Sequence, residues 1–429
     1  MFDSNQLMKV MLLSLACLDG SVWGFDKRTE YRQRSQRLSD ADVTERMRLA
    51  EWCEKNQLKH EAAVEYRKVI NQDSNQVRAY ERLCAIREDQ RLPESRSRQQ
   101  ELLNEFPDDF RLHVAPHFLV IYNTDEAWAR SRAAMLEIAH ETFYSVFRRA
   151  GSRPLPLETR LVCVLFKGYR DFTDYAFKHE GLAVDWAGGF YSGRSNRVIF
   201  FDERTSPNFQ RLVSTIQELE EDLQTLEAAR RRATAKLNYA AARDIKQAYA
   251  RVLKRLRWYK NKHASISKKG NTSKTIHEAV HQIAFNCGMM DRRVRYPFWL
   301  AEGLAASFEV EDPSQRFGPR YDNGYRRRML KESEAEGRLL DIEKLIHFSF
   351  PPPGGPDQIR ILYAQSWAFY SFLFRYRNDA LRDYLQRLST GHGDDVSEEE
   401  TRESFIRSFG PIDKLNSLWQ RYLKRLPSS

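Results

Sequence analysis

Two histidines four residues apart, His277 and His281, flank Glu278 in "TIHEAVHQIAFNCG" (275–288). On a helix, side chains at i and i+4 share a face, about 5–6 Å apart at their β-carbons. Imidazoles at that spacing can both reach one zinc ion at about 2.0–2.1 Å. Glu278 stands one step round, where a carboxylate can hold and deprotonate a metal-activated water without itself ligating the metal. The chemistry on offer is metal-assisted hydrolysis, and it needs a third protein ligand. "YPFWLAEGLAASFE" (296–309) supplies Glu302, 21 residues after His281, on a helix opened by Pro297. Glu309 is expected two turns further along the same face. Phe298, Trp299, Leu300 and Leu304 surround Glu302 in the sequence, and an unpaired carboxylate among them would be costly. Two histidines and one glutamate leave the fourth tetrahedral position for water. The chain has two other His-Glu pairs, His140-Glu141 and His179-Glu180, and neither is followed by a histidine at the right place.

The elements that must position these residues can be read outward from the motif. Asn271, Thr272 and Ser273 are N-cap candidates for its helix and Gly288 a C-cap candidate. Ile276, Val280, Ile283 and Ala284 give the helix a core-facing stripe, so it is expected to be half buried. Upstream, "HFLVIY" (117–122) and "TRLVCVLF" (159–166) read as strands, with an amphipathic helix over about 126–149 between them. "WAGGFYSG" (186–193) and "NRVIFF" (196–201) read as a hairpin turning through Gly193, Arg194 and Ser195. Residues 110–205 are therefore expected to form a four-stranded α/β sheet subdomain. Over 206–270, Leu212, Ile216, Leu219, Leu223, Leu226, Ala233, Leu237 and Ala240 fall on a heptad rhythm. A break near Asn238 then makes this segment an inserted antiparallel helical hairpin. Residues 25–105 read as helices of tetratricopeptide-like pattern, with stripes such as Ala62, Ala63, Tyr66, Val69 and Ile70. Residues 271–429 make the helical subdomain that carries the motif. The fold class expected is α+β, mostly helical.

H-E-A-V-H, about 20 residues, then W-L-A-E-G-L-A-A-S-F-E resembles the gluzincin clan of zinc metallopeptidases. The chain is more closely similar to a group of bacterial proteins of unknown function with a peptidase-like domain behind a short helical region. The resemblance covers roughly 110–205 and 271–380, and more loosely 41–90. It implies a gluzincin-like domain with one zinc ion held by His277, His281 and Glu302, Glu278 as general base, and Glu309 orienting a ligand histidine. The developing oxyanion needs a donor. Tyr363, at the start of a helix over "RILYAQSWAFYSFLF" (360–374), matches a tyrosine of the related proteins and is assigned that role, with His347 and Arg360 as alternatives. "PPPGGP" (351–356) is expected to be a rigid loop bordering the cleft. The G-x-M-E-N motif with which aminopeptidases of the clan grip a free amino terminus is absent, and Ala301 stands where an asparagine is usual. An endopeptidase is thus expected, with "WAGGFYSG" as the edge on which a peptide pairs. The alternative is a zinc-binding scaffold with little or no catalysis, recruiting a protein partner through its helical region and hairpin.

The chain has 429 residues and a net charge of +10, of which residues 206–270 hold most, with 15 Lys/Arg against 6 Asp/Glu. An excess confined to one segment argues against a protein built for nucleic acid, and a solvated charged face explains it. Five cysteines at unrelated spacings indicate neither a disulfide framework nor a cysteine zinc site. Lys9 followed by "VMLLSLACL" suits a leader within residues 1–24, and export from the cytoplasm is expected on that ground. A buried first helix in a cytoplasmic protein is the alternative. No segment is long and apolar enough to span a membrane.

Overall fold

The computed structural model describes residues 19–38, 42–73, 76–88, 92, 96–184, 188–269, 272–349, 355–390 and 398–427. The leader read at the N-terminus therefore lies mostly outside the described residues, as do Asn271, Trp186, Ala187 and most of "PPPGGP". No helix among the described residues is long and apolar enough to cross a membrane. The fold is α+β and mostly helical, with one small mixed sheet. It divides into two compact units, Met1–Pro93 with Leu155–Glu158, and Glu94–Pro154 with Thr159–Ser429.

In the first unit, α1 (Asp19–Gln36), α2 (Val43–Lys55), α3 (Lys59–Gln72) and α4 (Val77–Glu88) follow one another. The apolar stripes read from the sequence are the core, in which Leu49, Ala50, Cys53, Ala62, Ala63, Tyr66, Val69, Ala79 and Leu83 are buried. A succession of neighbouring helices does not by itself make a tetratricopeptide pair. One feature inside this core is polar. Arg46 and Glu65 are both fully buried and meet at 2.9 Å. Glu65 also accepts from Tyr31 Oη at 2.8 Å and from Lys68 Nζ at 2.9 Å, so the charge is compensated on several sides.

The second unit begins with α5 (Arg96–Leu103) and a sheet of five strands rather than four. The strands are β1 (Arg111–Val114), β2 (Phe118–Tyr122), β3 (Leu161–Phe166), β4 (Gly189–Ser192) and β5 (Arg197–Phe201), in spatial order β1-β2-β3-β5-β4. β2, β3 and β5 run parallel, and the two outer strands are antiparallel to their neighbours. β2 and β3 are buried along their whole length, as parallel strands covered on both faces must be. Helix α6 (Glu126–Arg149), capped by Asp125, connects β2 to β3. The short α7 (Tyr169–Tyr175) runs on into a π-helical turn before β4.

The inserted hairpin is formed by α8 (Pro207–Ala235) and α9 (Tyr239–Lys269). Its turn lies at the break read from the sequence, with Leu237 at φ 57° and Asn238 Oδ1 capping the Ala241 N–H. Of the seam residues, Leu212 and Leu219 are buried. The motif helix α10 (Thr272–Ala284) follows, then α11 (Phe298–Ala306), α12 (Gly324–Ala335), α13 (Ile342–His347), α14 (Pro356–Tyr376), α15 (Asn378–Thr390), α16 (Glu398–Phe409) and α17 (Ile412–Arg425). Three expectations are corrected here. α10 is buried on every side from Thr275 to Ala284, not on one stripe, because the sheet, α6 and α11 surround it. α11 ends at Ala306, where Ser307 turns its hydroxyl back to the Leu304 carbonyl, so Glu309 lies beyond the helix. α14 begins at Pro356, which places Tyr363 about two turns inside it and not at its start.

A candidate metal centre

α10 is fixed from two sides by polar contacts in otherwise apolar surroundings. Gln282, fully buried, donates to the Val162 and Asn196 carbonyls at 3.0 and 2.8 Å, tying the helix to the sheet. Buried Arg132 on α6 donates to Thr275 Oγ1 at 3.0 Å. Gly288 takes φ 77° just past the helix, the left-handed conformation that lets the chain leave it. α11 presses against α14 at Gly303, where a Cβ would lie 2.5 Å from the Ser366 carbonyl oxygen. The residue beside Glu302 must therefore be glycine for α11 to lie this close to its neighbour.

These constraints bring His277, His281 and Glu302 together. His277 Nε2 lies 3.2 Å from His281 Nε2 and 3.0 Å from Glu302 Oε2, and His281 Nε2 lies 3.4 Å from the same oxygen. A tetrahedral zinc with bonds of about 2.0–2.1 Å needs its ligands about 3.3 Å apart. All three separations fit that triangle, and two imidazoles with one carboxylate is a zinc-type donor set. The residues present thus fit the ion that the spacing implied. The two histidines are buried, and Glu302 is half-buried.

Around this triangle the charges are balanced. Glu309 accepts from His277 Nδ1 at 3.0 Å, and since a carboxylate only accepts, this fixes the proton on Nδ1 and turns Nε2 toward Glu302. Arg326 on α12 grips Glu309 with two bonds of 2.8 and 2.7 Å. Burial raises the Glu309 carboxyl, but Arg326 and His277 outweigh it and hold it at about 2. Burial pulls the His277 imidazole down, yet Glu302, Glu309 and Glu278 push it up to about 9. This pocket of three carboxylates favours positive charge between its donors, and a proton on His277 or a divalent cation meets that demand.

Glu278 stays outside the triangle. Its Oε1 lies 2.9 Å from Lys274 Nζ, one turn earlier, and its Oε2 accepts the Tyr191 backbone N–H of edge strand β4 at 2.9 Å. Burial raises its carboxyl, but Lys274, His277 and His281 together lower it. The Tyr363 ring lies 6.0 Å from that of His277 and 5.1 Å from the Arg326 guanidinium. Burial and then the Glu302 and Glu278 charges push its phenol well above the usual value, which keeps the hydroxyl a donor at neutral pH. Of the two alternatives, Arg360 pairs with Asp357 at the surface, and His347 closes α13.

Besides Arg132, four participants escaped the sequence. Gln282 and Lys274 lie on the motif helix, but their partners are a sheet carbonyl and the motif glutamate. Arg326 stands in the run Tyr325-Arg326-Arg327-Arg328, where nothing singles it out. Tyr191 contributes only its backbone. Lys274 alone left a signal, since it precedes Glu278 by four residues and the two sit on one helix face.

Residues 271–393 match the model of a family described as a protein of unknown function (DUF1570). That span takes in α10 to α15 and leaves the sheet and the hairpin outside. Searches of curated proteins and of solved structures gave no match.

Proposed function

We propose that the chain is a zinc-dependent hydrolase of gluzincin type that cleaves peptide bonds within polypeptides. The observation that carries this reading is the triangle of His277, His281 and Glu302 donors at 3.0–3.4 Å, with Glu278 next to it but outside it. His277, His281 and Glu302 would hold a zinc ion, which would supply Lewis acidity to polarise a carbonyl and lower the pKa of a water toward ~7. Glu278 would take a proton from the water as its oxygen bonds to the carbonyl carbon, and return that proton to the amine nitrogen as the C–N bond breaks. Tyr363, kept protonated, donates to the oxygen on which negative charge develops. Glu309, braced by Arg326, holds His277 in the tautomer that presents Nε2. β4, the outermost strand beside α10, offers an extended substrate the part of its outer edge not taken by the Tyr191 N–H bond to Glu278.

One observation favours a second reading, a zinc-binding protein with weak or no catalysis. Both oxygens of Glu278 are engaged, one by Lys274 and one by Tyr191, which leaves the base less free to accept a proton. The two readings separate in one experiment. Wild type, His277→Ala and Glu278→Gln are assayed for zinc content and against a broad peptide library. The peptidase reading expects zinc at the α10 centre and cleavage in wild type, loss of cleavage and of one zinc equivalent in His277→Ala, and full zinc without cleavage in Glu278→Gln. Cleavage that survives Glu278→Gln refutes the mechanism. Zinc without cleavage in wild type leaves the scaffold reading standing, with partner recruitment by the helical unit or the hairpin as its function.

A further inference from the structure

His140 fails as part of an H-E-x-x-H motif because no histidine follows at the right place, yet folding gives it other partners. Glu137 precedes it by three residues on α6, so the two share a face, and His117 arrives from the segment entering β2. Glu137 Oε1 accepts the His117 backbone N–H at 2.7 Å, and Oε2 lies 2.7 Å from His117 Nδ1. The His140 ring stacks on the His117 ring with centroids 3.7 Å apart. One donor atom from each residue lies within 4.8 Å of the other two, and all three residues are half-buried.

We propose that His117, Glu137 and His140 form a second binding site for a divalent first-row transition ion, zinc foremost, independent of the centre on α10. The donor set is again two imidazoles and one carboxylate, which suits such ions and not calcium or magnesium. The backbone N–H on Oε1 orients the carboxylate, and Oε2, which meets His117 Nδ1 at 2.7 Å, turns to the ion as that imidazole gives up its proton, so binding releases a proton. Partial exposure leaves room for water to complete the coordination. The rings lie only 20° from parallel, so an ion in the plane of both requires them to splay. The His117 side chain is 37% exposed and can turn without moving the backbone. An ion bound here would clip the connection between β1 and β2 to α6, the helix that also holds α10 through Arg132 and Thr275.

The test is zinc stoichiometry of the full chain by equilibrium dialysis followed by metal analysis. Wild type, His277→Ala, His140→Ala and the His277→Ala/His140→Ala double variant are compared. The proposal expects two, one, one and no equivalents. His117→Ala, at a more exposed position, should match His140→Ala and guards against a folding defect in the latter. A single equivalent in wild type that survives His140→Ala and His117→Ala overturns the proposal. A single equivalent that survives His277→Ala and disappears in His140→Ala upholds this site while removing the one on α10.

Discussion

Glu309→Gln tests whether the carboxylate behind His277 does more than fill space. The substitution keeps the shape and one acceptor oxygen but removes the charge that His277 Nδ1 meets at 3.0 Å and Arg326 grips twice. Support of a ligand histidine from behind is typically worth 10–100-fold in metal affinity. At about 1.4 kcal/mol per tenfold, the expected loss is about 1.4–2.8 kcal/mol of zinc binding. Stability changes separately, because Arg326 loses its charged partner. Removing one member of a buried pair costs about 3–5 kcal/mol, and the glutamine amide, still able to accept a hydrogen bond, should keep the loss below that range. Competition with a chromophoric chelator well below the melting temperature reads the first quantity, and a thermal melt reads the second. If affinity is indistinguishable from wild type while Glu302→Gln abolishes it, Glu309 does not support the ligand and the argument from tautomer and charge fails. If the loss equals that of His277→Ala, Glu309 is a ligand itself and the triangle has been misassigned.

Other perturbations probe different links. Tyr363→Phe should lower kcat by about 10²–10³-fold with zinc content unchanged, the effect of losing one oxyanion donor, and an unchanged kcat removes Tyr363 from the chemistry. Gly303→Ala puts a methyl 2.5 Å from the Ser366 carbonyl oxygen and 2.9 Å from Tyr370 Cβ. Such overpacking costs about 1–3 kcal/mol, and because Glu302 is adjacent, zinc affinity should fall with the melting temperature. A melt like that of wild type would show that α11 can move aside. Arg46→Met leaves buried Glu65 with a reduced set of partners and should cost about 3–5 kcal/mol, seen as faster hydrogen exchange in α2 and α3. Burial raises the Glu65 carboxyl, but Lys68, Tyr31 and Arg46 lower it overall. Its stabilisation is thus present above the unfolded value of about 4.3 and lost as pH falls through the lower folded value. Protection in α2 and α3 that stays constant from neutral pH to well below pH ~4 contradicts this.

The parts legible in the sequence were those set by local spacing. His277, Glu278 and His281 share one helix turn, so their proximity follows from 3.6-residue periodicity alone. Glu302 was found because Pro297 marks a helix start and its neighbours are apolar. α6, β2, β3 and the hairpin break at Asn238 carry strong patterns and stand where those patterns put them. β1 was missed because "RLHV" is four residues with partly polar character, stabilised mainly by pairing with β2. The full burial of α10 was missed because periodicity reports one apolar face, whereas Thr275, Gln282 and the histidines face partners contributed by distant segments. Arg326, Tyr191 and Arg132 are legible only in three dimensions, since each meets its partner across at least 17 residues of chain.

The donors of the α10 centre also hydrogen-bond to one another, and each helix that carries them is held by contacts that involve no ion. Zinc fingers collapse when stripped because the metal is their core. Here a chelator should take the ion and leave the chain folded, with the triangle closed by a shared proton until zinc returns. Loading then needs no refolding step and should be fast, single-phase and reversible. On the zinc reading proposed above, zinc supply alone should switch the centre on and off, on a scaffold that keeps its shape throughout.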